Sequence, residues 1–358
     1  MLPESDAAPS PPAPENLQFT GQGGDYFRIW IVNLLLSVLT LGIYSAWAKV
    51  RRMQYFYRNT QLAGASFDYH GDPIAILKGR LIAIGLLLAY NWSPQVSMQL
   101  FGITLLLLLA IMPWLLRQSF RFRLHNSSYR GLRFRFSGAL GTAYKVFLLH
   151  GFFALITLYI AAPLFHQRLK KYQHNHSHYG KSAFSFDARV SQFYGAYAMV
   201  IVLFVGMMIS IVGAGAYAGY QAAKLAKEGG VAADPTAMMG VMVVVIGAFF
   251  VGMLLIGPLW QSRLQNLIWN NTRLGEHRFR SEMAAWPLLG IYLSNFLLIL
   301  LTLGFYKPWA DVRLARYRAS TIPLLPASDL DQFVAAQEQT MAATGEEAAE
   351  FFDFDIGL

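Results

Sequence analysis

The chain has 358 residues, 55% of them hydrophobic and 14% charged, with a formal net charge of +9 and no cysteine. A soluble domain carries about a quarter charged residues, so the composition excludes an ordinary soluble fold, and the missing cysteines exclude disulfides and thiolate metal sites. The bases gather in five short clusters, at 49–58, 117–135, 168–189, 263–280 and 313–318, each starting where an apolar segment stops. That placement points to membrane anchoring and away from nucleic acid.

In chain order, residues 1–17 are acidic and proline-rich and read as a disordered leader without the basic-then-apolar pattern of a signal peptide. Seven apolar segments follow, at about 26–47, 74–92, 98–116, 143–165, 194–220, 238–260 and 286–307. Several are as long as a bilayer core is thick and have no polar face. The fold class expected is an all-α polytopic membrane protein with short β-hairpin-like connections.

The junctions between apolar segments and basic clusters can be laid over one another. Each is anchored by Pro or Ala, at Ala46, Pro113, Pro163, Pro258 and Pro308. Trp47, Trp114, Trp260 and Trp309 follow closely, and then come Arg51, Arg117, Arg168, Arg263 and Arg313. Thirteen residues after the anchor stand Asn59, Asn126, His176, Asn271 and Thr321, and Gly64, Gly131, Gly180 and Gly275 come next. Phe67, Phe134, Phe184 and Phe279 each lie 21 residues after their anchor. Trp prefers the headgroup layer and Arg reaches phosphates by snorkelling, so these Trp and Arg residues are candidate lipid-headgroup contacts. A basic helix should follow, then a turn with Gly at positive φ, then a short strand of alternating apolar residues as in "ASFDY", "LRFRF" and "SAFSF". The pattern predicts internal repeats of one helix-joint-strand unit across a membrane domain at 18–320. Units start near 19, 67, 134, 184 and 279. The last copy is expected to lack the strand and to pass into an acidic tail at 321–358.

Seven full spans would put homologous basic joints on opposite faces, against the positive-inside tendency. The preferred topology has four full spans and three re-entrant or interfacial segments, with breaks at "LTLG", at "HGFF" near His150 or at "PLLG" near Pro287. The basic joints and the tail then face the cytoplasm; seven spans is the alternative.

His174, His176 and His178 alternate, and on a strand they would share one face as candidate metal ligands. The surrounding loop is basic, which disfavours a cation. Asn33 and Asn295, at similar distances before the two "TLG" copies, read as interhelical glue. Paired carboxylates, nucleophile motifs and phosphate loops are missing, so neither an enzyme nor a cofactor is expected. The tail sequence "GEEAAEFFDFDIGL" carries acids and three Phe; it would dock on the basic joints, bind a soluble partner or stay solvated.

The stretch "GGDYFRIWIVNLLLSVLTLGIYSAWAKVRRMQYFYRNTQLAGASFDYHGDPIAILKGR" resembles the YjgN-like family of bacterial inner-membrane proteins, a domain of unknown function. The likeness is strongest over 17–80 and returns at 294–318. It implies a bacterial inner-membrane location and carries over no activity or catalytic residue. The first expectation for function is a transporter- or channel-like protein for an uncharged or apolar solute. The alternative is a membrane-organising protein that contacts anionic lipids through its Arg- and aromatic-rich joints.

Overall fold

The structure, a computed structural model, describes residues 13–227 and 235–344. Four of its helices are long and apolar enough to cross a membrane: α3 (Pro73–Val96), α4 (Met98–His125), α8 (Val190–Lys227) and α9 (Pro235–Asn270). Their apolar faces are mostly exposed within the chain, which only a lipid surround tolerates over such areas.

Three shorter apolar stretches do not have that length. α1 (Gly23–Leu39) and α10 (Ala285–Leu301) have 17 residues each, about 25 Å at the helical rise, against a hydrocarbon core of about 30 Å. The third is α5 (Leu140–Tyr144), a π-helical turn (Lys145–His150) and α6 (Gly151–Ile156) run together. Each then turns back into a basic helix: α2 (Ser45–Arg58), α7 (Ala162–Asn175) and α11 (Lys307–Ser320).

The three reversals share one construction. Leu41, Leu158 and Leu303 take left-handed φ values of 48°, 49° and 50°. The Thr before each donates its hydroxyl to the carbonyl four residues back: Thr40 to Leu36, Thr157 to Phe153 and Thr302 to Leu298. The same hydroxyl accepts the N–H four residues on, from Tyr44, Ala161 and Tyr306. The expected break at "LTLG" is therefore present. Those at "HGFF" and "PLLG" are not: His150 and Gly151 sit within a continuous helix, which Thr157 ends instead. Pro287 lies in the first turn of α10, where its missing N–H costs nothing.

α2, α4, α7 and α9 each end in a hairpin. β3 (Thr60–Leu62) pairs with β4 (Ala65–Tyr69), β5 (Ser127–Tyr129) with β6 (Leu132–Phe136), β7 (Ser177–Tyr179) with β8 (Ser182–Phe186), and β9 (Thr272–Leu274) with β10 (His277–Phe279). Gly64, Gly131, Gly180 and Gly275 occupy the turns at positive φ, where a side chain would be strained. The hairpins also pair with one another, giving an antiparallel eleven-stranded sheet in the order β1-β11-β10-β9-β8-β7-β6-β5-β4-β3-β2. Its two ends, β1 (Glu15–Asn16) and β2 (Gln18–Phe19), are separated in the chain by Leu17 alone. One extended segment thus nearly closes the sheet into a barrel, a feature the all-α expectation lacked. β11 (Pro323–Leu325) is the last strand, paired to both β10 and β1. The passage after Thr321 therefore does hold a strand, contrary to the expectation from its sequence. Pro323 can stand there because its missing donor starts the strand.

Around this ring the helices interleave. α1 packs on α2 and α11, α3 on α2 and α4, the α5–α6 stretch on α4 and α7, α8 on α7 and α9, and α10 on α9 and α11. The turn end of the ring is covered by α12 (Leu330–Thr344), which lies in the segment expected as tail. Leu330, Phe333, Val334 and Met341 pack among Leu62, Tyr129, Leu132, Tyr179, Leu324 and the four barrel phenylalanines. Gln337 accepts hydrogen bonds from the N–H groups of Lys181 and Ser182, at 2.8 and 3.2 Å. Asp331 pairs with Arg130 at the β5–β6 turn, and Arg130 also donates to the Ala63 carbonyl at 2.9 Å. Residues 1–12 of the expected leader and the "GEEAAEFFDFDIGL" segment lie outside the described residues.

Phe333 stacks on Tyr179 and meets the His277 ring edge-on at 4.4 Å. Phe333→Ala should cost about 3 kcal/mol and lower the unfolding midpoint of the sheet in detergent by several degrees. It should also expose the Lys181 turn to protease. An unchanged midpoint and digestion pattern would mean that α12 does not hold the ring.

Candidate functional site

Side chains of α2, α4, α7, α9 and α10 line an open cavity of about 910 Å³ against the sheet. Its floor is Phe67, Phe134 and Phe184, one from each of β4, β6 and β8. Phe184 lies 6.4 Å from Phe134 and 6.3 Å from Phe279 between ring centres. The other faces of these rings belong to the cluster that holds α12. Alternation along a strand puts these phenylalanines on the inner surface of the barrel.

Polar groups enter from the walls near the floor: Arg123 of α4, Lys170, Gln173 and His174 of α7, and Gln261 and Gln265 of α9. Among the described residues no Asp or Glu lines the cavity. Lys170 Nζ donates to Gln173 Oε1 at 3.2 Å. Burial, then the nearby Arg123 guanidinium, pushes the Lys170 ammonium below the usual lysine range. Lys49 on α2 is lowered by burial and by the charges of Arg80 and Arg123. Farther from the sheet, the wall becomes apolar at Met253, Leu254, Gly257, Pro258 and Trp260 of α9.

The candidate headgroup residues divide. Arg51, Arg168 and Arg263 are exposed; the Arg51 guanidinium lies over the Tyr44 ring at 5.7 Å. Arg117 and Arg313 turn inward. Arg117 Nε donates to the Gly138 carbonyl at 2.6 Å, and Arg313 to Asn295 Oδ1 at 2.8 Å. Asn295 donates to the Ala310 carbonyl at 3.3 Å, so it ties α10 to α11. Asn33 is equally buried, and its Oδ1 has no hydrogen-bond partner among the described residues. The tryptophans serve packing between neighbouring elements: Trp260 meets Tyr197 of α8 edge-on at 4.4 Å, and Trp309 meets Phe27 of α1 at 5.0 Å. Trp47 stacks on Tyr44 at 6.1 Å, while Trp114 is half-buried in α4. Pro113 and Pro258 stay within unbroken helices, whereas Pro163 and Pro308 begin theirs.

The three histidines do not share a strand face. His174 is in the last turn of α7, His176 follows the helix, and only His178 is in β7. Among the described residues no group of His, Cys, Asp and Glu could hold a metal ion. His176 and His178 ring nitrogens approach backbone carbonyls of Tyr172 and His176, at 2.8 and 3.2 Å. His174 stacks on Phe186 and faces Trp269 and the Thr272 hydroxyl. Sequence spacing singled out the floor phenylalanines as unit markers, but it gave no reason to select Arg123 or Lys170 from their clusters. The missing acid in the facing segments was the available signal.

Burial, then the charge of Lys170, pushes His174 down to about 4, and the same causes lower His166 to about 4. Both are neutral in the fold and would take up a proton more readily when unfolded. Stability is therefore fully present above about pH 6.5 and falls as the pH drops from there toward 4. His174→Gln should flatten this loss in unfolding midpoints measured between pH 4 and 7. A variant with the same acid profile as the parent would exclude His174 as a source of it.

Comparison with known proteins fits a membrane protein without an assigned activity. Over 149 residues the chain is 32% identical to the inner membrane protein YjgN of Salmonella typhimurium, covering 40% of this chain and 37% of that protein. It is also 32% identical over 120 residues to the inner membrane protein YjgN of Escherichia coli O157:H7 and of Escherichia coli K12, covering 33% of this chain and 30% of each. The aligned stretches thus span only 30–37% of these relatives' length. No solved structure matches. A family model covers residues 14–351, and the chain belongs to that family, described as bacterial protein of unknown function (DUF898).

Proposed function

We propose that this protein is a lipid-contacting organiser of the cytoplasmic leaflet of the inner membrane, built from five copies of one helix-joint-hairpin unit. The observation that carries the reading is the set of three apolar reversals: Leu41, Leu158 and Leu303 are 96%, 86% and 88% exposed. Their flanks, among them Leu39, Ile160 and Leu301, are exposed too. Such tips are costly in water and suited to the acyl region just beneath the headgroups. Beside them Arg51 and Arg168 are exposed on the helices that return from two of the tips, as Arg263 is on α9, and all three suit the headgroup level. With the basic helices there, the hairpins and α12 face the cytoplasm.

A transporter or channel for an uncharged or apolar solute has less support. The cavity carries Arg123 and Lys170, and below it the phenylalanine floor and α12 stand in the way of a polar path.

Two measurements test the reading. In reconstituted membranes, spin-labelled phosphatidylglycerol should be preferred over phosphatidylcholine in the motion-restricted shell. Replacing Arg51, Arg168 and Arg263 together by Gln should remove at least half of that preference; an unaltered preference sinks the role of these residues. A cysteine at Lys181, exposed in the β7–β8 turn, should react with an impermeant maleimide only in inverted vesicles. Reaction in intact spheroplasts would overturn the orientation.

A further inference from the structure

The exposed arginines account for contacts on the outside of the ring; they leave the cationic interior unexplained. Every carboxylate that forms an ion pair among the described residues does so elsewhere. Asp68 pairs with Arg58, Asp187 with Arg273, Glu282 with Arg280, Asp311 with Arg52 and Lys307, and Asp331 with Arg130. Arg123 and Lys170 therefore face one another's side of a common cavity with amide and hydroxyl neighbours and no counter-anion from the described chain. Lys170 is half-buried and Arg123 exposed, and two like charges lining one cavity repel each other at a cost. An anion between them would offset that cost, and guanidinium and ammonium groups together suit a phosphate.

The other end of the cavity excludes a purely polar ligand. Its lining on α9 runs from Met253 to Trp269, about 24 Å at the helical rise. His174, one turn beyond Lys170 on α7, touches Trp269, so the cations lie at the sheet end of this run. Met253, Leu254, Gly257 and Pro258 form the opposite end, next to the apolar N-terminal part of the same helix. Amphiphilic character is thus laid out along one axis, apolar on the membrane side and cationic above the phenylalanine floor. The volume is at the upper end for a small-molecule site.

We propose that this cavity is a specific binding site for a phosphate-bearing lipid, with the phosphate between Arg123 and Lys170 and an acyl chain against Met253–Pro258 of α9. The site is distinct from the outward-facing contacts of Arg51, Arg168 and Arg263, and it rests on the lipid-contacting reading only in taking its ligand from the membrane. Gln173, Gln261 and Gln265 would supply neutral hydrogen bonds to the headgroup. The floor of Phe67, Phe134 and Phe184 would stop the ligand from passing through the barrel.

Gly257 offers a variant that spares the fold. A Cβ there meets nothing within 4 Å, so a larger side chain can start into open space at the apolar end. The full chain is purified in detergent, and retained lipid is counted by native mass spectrometry after addition of phosphatidylglycerol, with phosphatidylcholine or glycerol phosphate in parallel. The parent should retain one phosphatidylglycerol per chain. Retention should fall at least tenfold in Arg123→Gln/Lys170→Gln and in Gly257→Phe, and should persist in the Arg51/Arg168/Arg263 triple variant. Retention unchanged by both inner variants, or equal retention of phosphatidylcholine, would overturn the proposal. So would full competition by glycerol phosphate, which would make the ligand a soluble phosphate. Loss in the triple variant alone would overturn the inner site while leaving the outer contacts standing.

Discussion

Backbone hydrogen bonding around the barrel is the constraint from which the rest of the molecule follows. Its strands have only two to five residues, too few to hold a hairpin alone. All but β1 and β2 have partners on both sides, and those two edge strands are joined through Leu17. Exposed edges invite pairing with other chains; here the ring largely removes them. Because every basic helix enters or leaves this ring, the ring also dictates that they stand about one axis. A cavity between them follows from that geometry, and so does the need for phenylalanines and α12 to fill the barrel below.

Charge is sorted by the same arrangement. Acids sit on the outer sides and at the turn end, where they meet exposed or half-exposed arginines; such pairs add little stability but leave the carboxylates outside. Arg123 of α4 and Lys170 of α7 line the cavity instead. The result is a protein whose surface ion pairs are ordinary and whose cavity is lined, among the described residues, by cations and no acid, an arrangement suited to ligand recognition.

The sequence disclosed much of this and concealed the rest for identifiable reasons. Alternation in "ASFDY", "LRFRF" and "SAFSF" marked β4, β6 and β8, and the glycines at matching offsets marked their turns, because period two and positive φ are local properties. Length separated the long α3, α4, α8 and α9 from the short α1 and α10. Closure of the barrel is not local: nothing in Glu15–Asn16 or Pro323–Leu325 taken singly indicates that they pair. The break at Thr157 was missed because "TLYI" lacks the glycine of "TLG", although the Thr bonds and the left-handed Leu are the same. The histidines misled because alternation in sequence was read as a strand, while His174 still belongs to a helix.

The pairing of β1 with β11 also sets a schedule. Glu15 must wait for Leu324, about 300 residues later, and at ribosomal speeds of 5–20 residues per second the wait is on the order of 15–60 s. Throughout that time the first hairpins are present with one unpaired edge while later helices are still being inserted. Loop-closure entropy has to be met before this longest contact contributes anything. The barrel is therefore completed last, and α12, which follows β11 in the chain, reaches its place only as the ring shuts.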